Sequence, residues 1–128
     1  MSSKSLNSEF KSYQIVRLRH NNTCLYGEVI QVVPDRQLCW FRPLMLAIAP
    51  ENELTFLPGE EPPRVVDLRM SSDLFWPVDL IEPAADTEVI PLLMQLEEID
   101  FSRFDENKAR ASLHNFIKVF WQSRNSRE

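Results

Sequence analysis

Residues 26–48 read YGEVIQVVPDRQLCWFRPLMLAI, two apolar, β-rich runs joined by the polar turn Pro34-Asp35-Arg36-Gln37. Branched and aromatic side chains suit a pleated, half-buried surface, and a proline at the first central turn position presets φ. The stretch therefore predicts a long β-hairpin, the spine of a small sheet or barrel. From Leu38 to Ile48 the run is apolar on both faces, so it should be covered twice, once by the barrel interior and once by a helix or a partner. Pro43 cannot donate to a ladder, which puts the strand at an edge or at a bulge there.

Upstream of the hairpin, residues 13–20 (YQIVRLRH) mix apolar Ile15, Val16 and Leu18 with Arg17 and Arg19, a strand with one solvated face. His20-Asn21-Asn22-Thr23 reads as a turn. Residues 1–12 are polar and expected to be a disordered tail. Downstream, residues 54–57, 65–69 and 78–81 read as short strands, broken by prolines and by the Ser71-Ser72-Asp73 turn. After Pro83 the apolar period changes from two to about 3.6. Val89, Leu92, Leu93, Leu96 and Ile99 line a helix over 88–99, with Pro91 tolerable only near its first turn. Asp105 is an N-cap for a second helix running to about residue 123, whose stripe is Ala109, Leu113, Phe116, Ile117, Phe120 and Trp121. Strands first and helices last predict one α+β domain over 13–128: a bent antiparallel sheet or small barrel over 13–83, then two C-terminal helices over 86–123 packed on it.

The chain has 128 residues and a net charge of −5, unevenly spread. Residues 1–50 carry +3, residues 51–105 carry −11 and residues 106–128 carry +3. The acidic middle opposes wrapping a nucleic-acid backbone and favours a partner with a basic segment. The N-terminal MSSKSLNSEF lacks the apolar region of a secretory leader, and no run approaches the ~18 apolar residues of a membrane span. The expectation is a cytoplasmic protein with no membrane partner, in which Cys24 and Cys39 are reduced, buried thiols.

Catalytic and metal chemistry finds little support in the spacing. Two His and two Cys occur without a CxxC or HxxxH arrangement, so neither a metal nor a cofactor is expected. His20 and Cys24 share a turn but lack an oxyanion segment, and His114 reads as a surface residue. Asp67, Asp73 and Asp79 recur every six residues, which keeps an acid–base enzyme as an alternative. The plainer reading makes Asp73 a turn former and places Asp67 and Asp79 on solvated strand faces, with Arg64 or Arg69 as a partner for Asp67. Ahead of the enzyme, the first alternative is a single-stranded RNA- or DNA-binding barrel using Arg17, Arg19, Arg36 and Arg42.

The aromatic residues carry the stronger lead. Trp40 and Phe41 are neighbours on a strand and point to opposite faces, as do Phe75 and Trp76. Surplus aromatics of this kind serve as interface anchors. The expected partner-binding residues are Trp40, Phe41, Phe75 and Trp76, with Glu60, Glu61, Asp67 and Asp79 attracting basic groups. Phe120 and Trp121 are the expected contacts of a homodimer. The function expected is a non-catalytic interaction or assembly module, binding a peptide at a sheet edge.

Tyr26-Gly27-Glu28-Val29 opening a strand, and Asp73-Leu74-Phe75-Trp76-Pro77 leading into Val78-Asp79-Leu80-Ile81, resemble the SH3-like small-barrel pattern over residues 13–83. The resemblance implies a helical turn before the last strand. The whole chain also resembles small conserved cyanobacterial proteins such as the carboxysome assembly factor CcmS. That resemblance implies a chaperone-like adaptor that captures a peptide of a larger assembly.

Overall fold

The computed structural model describes residues 10–50, 63–99 and 105–125. The expected hairpin is its centre. Strands β2 (Thr23–Val33) and β3 (Leu38–Ile48) pair antiparallel along their whole length, from Thr23 opposite Ile48 to Val33 opposite Leu38. A 3-10 turn, Pro34–Arg36, closes the hairpin, and Gln37 absorbs the reversal at a left-handed φ of 57°. Strand β1 (Ile15–His20) pairs with β2, and the two-residue β6 (Glu82–Pro83) pairs with β1.

The outer edge of β3 is shared between two short strands. β4 (Arg64–Asp67) bonds its C-terminal half, Met45 to Ile48, and β5 (Leu74–Pro77) bonds its N-terminal half, Leu38 to Phe41. Pro43 falls in the gap between them, where no ladder requires its missing N–H. On the other side, a register shift between Tyr26 and Gly27 places Gly27 opposite Pro43 and Tyr26 opposite Met45. Pro43 thus sits at a bulge in a central strand, and a second shift between Val29 and Gln31 adds to the bend.

The sheet order is β4-β3-β2-β1-β6, with β5 beside β3, and the sheet stays open. Of the two expected shapes, the bent antiparallel sheet is the one that forms. Residues 78–81, expected as a strand, instead make the 3-10 turn Val78–Leu80, after which β6 follows. The expected strand at 54–57 lies outside the described residues. The chain is already anchored at Phe10, which packs on the core, and the Tyr13 N–H bonds the Val29 carbonyl at 2.7 Å.

Helices α1 (Asp86–Glu97) and α2 (Glu106–Asn125) follow the sheet, so the fold is α+β. They cover opposite faces. Val89, Leu92 and Leu96 of α1 pack on Cys24, Tyr26, Met45 and Ala47. Ala109, Leu113, Phe116 and Phe120 of α2 pack on Val16, Leu18, Leu25, Phe41, Leu46 and Trp76. Leu25 and Leu46 alternate with Tyr26 and Met45, so one pair of strands feeds both cores. This is the double cover that the apolar pattern of β3 demanded. Asp105 caps α2, its Oδ1 accepting the Lys108 N–H at 3.1 Å. Pro91 lies in the second turn of α1, beyond its first, at an exposed position where solvent can satisfy the carbonyl that loses its partner.

Candidate partner-binding surface

Trp40 and Phe75 face each other across the β3–β5 ladder and stack, with ring centroids 5.6 Å apart and planes inclined by 19°. The Trp40 indole N–H donates to Asp73 Oδ2 at 3.0 Å, and Arg42 Nε lies 3.6 Å from Asp73 Oδ1. Asp73 is therefore more than a turn former: it pins the indole plane and holds a guanidinium beside it. Phe75 remains 54% exposed, and neither ring belongs to either apolar core. The β5 edge facing away from β3 carries no strand among the described residues.

The other two expected anchors are core residues. Phe41 and Trp76 are buried on the α2 face, because alternation sends them to the side opposite Trp40 and Phe75. Trp76 meets Phe120 edge-on at 5.4 Å and stacks on Trp121 at 5.1 Å. Phe120 is buried as well, packed inside the fold on the α2 side. Trp121 is half-buried against Trp76.

The expected acidic residues also divide. Asp67 is not solvated: it is buried, and Arg69 grips it through Nε–Oδ1 and Nη2–Oδ2 contacts of 3.0 Å each. The Arg69 guanidinium is pushed above its ordinary pKa by that hydrogen bonding. Asp67 is thus paired within the fold. Asp79 is exposed on the Val78–Leu80 turn, and Glu60 and Glu61 lie outside the described residues. Asp67, Asp73 and Asp79 occupy a buried strand end, a ring-pinning turn and an exposed turn respectively.

The arginines proposed for nucleic acid are dispersed in the same way. Arg17 is held by Glu82 at 2.9 Å and Glu88 at 2.5 Å, and Arg42 faces Asp73. Arg19 is exposed near the end of β1, and Arg36 is exposed in the 3-10 turn of the hairpin.

A buried polar cluster went unread in the sequence. Glu88, in the first turn of α1, accepts the Tyr26 hydroxyl at 2.6 Å and the Arg17 guanidinium through Oε2, while its Oε1 accepts the Ala85 N–H at 3.0 Å. Burial alone would push the Glu88 carboxyl up, but hydrogen bonds from Tyr26, Ala85 and Arg17 outweigh it and hold the group below its ordinary value. Burial raises the Tyr26 hydroxyl, which stays a donor, and pushes the Cys24 thiol beside it up to about 12. Cys39 is pushed up to about 11 by burial in the opposite core, so the two free thiols are separated by the sheet. Tyr at 26 and Glu at 88 are 62 residues apart, and no local spacing links them.

Among the described residues, no three His, Cys, Asp or Glu side chains gather as a metal site requires, and no helix is long and apolar enough to cross a membrane. No known protein family, curated protein or solved structure matches the chain.

Proposed function

We propose that this protein is a non-catalytic interaction module that holds a partner protein or peptide against the β3–β5 end of its sheet. The observation that carries the reading is the stacked, partly exposed Trp40–Phe75 pair, which both hydrophobic cores leave out. A large aromatic pair stacked and pinned by Asp73 has already lost its rotamer freedom, so little entropy remains to be lost on binding. The free edge of β5 supplies main-chain donors and acceptors next to those rings, the combination that strand addition uses. Arg42, beside Asp73, rims the region with charge. The resemblance to small cyanobacterial assembly factors gives the proposal its concrete form, an adaptor that holds a tail segment of a larger assembly. The scatter of Asp67, Asp73 and Asp79 favours binding over acid–base catalysis.

The test is affinity capture from native lysate with the wild type beside a Trp40→Ala, Phe75→Ala variant whose circular dichroism and melting are unchanged. The reading expects one protein to be retained by the wild type and lost by the variant. Retention of the same set by both would remove this surface from the function.

A further inference from the structure

Beneath α2 the sheet presents two successive rows of side chains that differ in kind. Leu18, Leu25, Leu46 and Val66 lie opposite one another in the register of four strands, and all four pack in the α2 core. Two residues further along each strand, toward the β1–β2 turn, alternation returns His20, Thr23, Ile48 and Arg64 to the same face, again in register. Facing this outer row, α2 presents Ser112, Asn115, Phe116 and Val119, spaced i, i+3, i+4 and i+7 along one side of the helix. Between row and helix lies a concavity of about 350 Å³. We propose that it binds a small organic carboxylate, whose carboxylate meets Arg64 and whose apolar body lies on the floor.

The walls combine free donors with an apolar floor. Leu46 and Phe116 are buried at the base, with Ile48 and Val119 half-buried beside them. Some of the polar groups at the rim are already committed: the Asn22 amide donates to the Ala49 carbonyl at 2.8 Å, and the Thr23 hydroxyl donates to Asn22 Oδ1 at 3.2 Å. The side chains of Arg64, Ser112 and Asn115 form no hydrogen bond or ion pair among the described residues. These three come from β4 and two successive turns of α2, and they meet around one space. No carboxylate lines it, in a chain whose net charge is −5. A guanidinium fork matches a carboxylate with two parallel bonds, and an amide and a hydroxyl add further donors. The apolar floor favours an organic anion over an inorganic one, and the volume lies near the lower end for small-molecule sites. The concavity occupies the face and the end of the sheet opposite to Trp40 and Phe75, so it stands independently of the surface proposed above.

The experiment follows backbone amide shifts of the full chain by NMR during titration with benzoate, benzamide and acetate at constant pH and low ionic strength. Benzoate and benzamide share a shape and differ in charge, while acetate keeps the charge and lacks the apolar body. The proposal expects saturable benzoate shifts centred on residues 20–23, 64 and 112–119, with weaker binding of benzamide and of acetate. Arg64→Gln, at an exposed strand position, should weaken benzoate about tenfold and leave benzamide unchanged. Ser112→Leu, which fills the space, should abolish binding of both. Lys118→Gln, on α2 outside the concavity, should leave benzoate binding as it is. Shifts that do not saturate or that centre elsewhere, benzamide or acetate binding as tightly as benzoate, or an Arg64→Gln protein that binds benzoate as the wild type does would each overturn the assignment.

Discussion

Replacing Glu88 tests how α1 is fixed to the sheet. In Glu88→Ala the Tyr26 hydroxyl loses its acceptor inside a fully buried site, the Ala85 N–H loses its cap and Arg17 keeps only Glu82. An orphaned buried hydroxyl costs about 1–3 kcal/mol, and loss of an acidic group from a helix first turn costs about 0.3–1 kcal/mol. Arg17 is partly exposed and still paired, so its share is small. The expected loss is about 2–4 kcal/mol in urea unfolding, with α1 exchanging its amides faster than α2. Glu88→Gln keeps an acceptor for Tyr26 and should lose less. The same carboxylate predicts a pH dependence. Its folded pKa lies below the ordinary value of 4.5, so its contribution is fully present above that value and is lost as pH falls through the folded pKa. The acid-induced loss should shrink in Glu88→Gln. A Glu88→Ala protein within about 0.5 kcal/mol of the wild type would refute the reasoning, because the buried donors would then have found other acceptors.

Neighbouring aromatics should behave oppositely. Trp76→Ala empties the α2 core and should cost about 3–5 kcal/mol in the same unfolding assay, whereas Phe75→Ala, at a half-exposed position, should cost under about 1 kcal/mol. Gly27→Ala should cost about 1–3 kcal/mol, since an added Cβ would stand 2.4 Å from the Phe41 ring; an unchanged midpoint would mean that ring moves freely. Cys24 and Cys39, both buried with thiols pushed up to about 12 and about 11, should resist iodoacetamide at pH 8 in the folded chain and react on unfolding. Modification of either by mass spectrometry in the absence of denaturant would contradict their placement.

Elements whose signals are local were legible in the order of the amino acids. The β2–β3 hairpin was legible from two apolar runs around a proline turn, and β3 emerged with the bounds its pattern set. Asp105 was legible as a cap and the α2 stripe as a buried face, because both depend on spacing along one helix. The α+β order of strands then helices was legible for the same reason. Which face of each strand is covered, and how far along, came from packing. A strand covered on both faces reads apolar throughout, so Trp40 and Phe41, or Phe75 and Trp76, cannot be told apart from their own neighbours in sequence. The answer depended on where α1 stops covering the sheet, since its core on that face ends short of the β3–β5 rings. Arg69 was one of the two partners the sequence offered Asp67, but alternation could not show that the pair would be buried and not solvated. The Glu88–Tyr26–Arg17 cluster joins residues far apart in the chain, and packing alone brings them together.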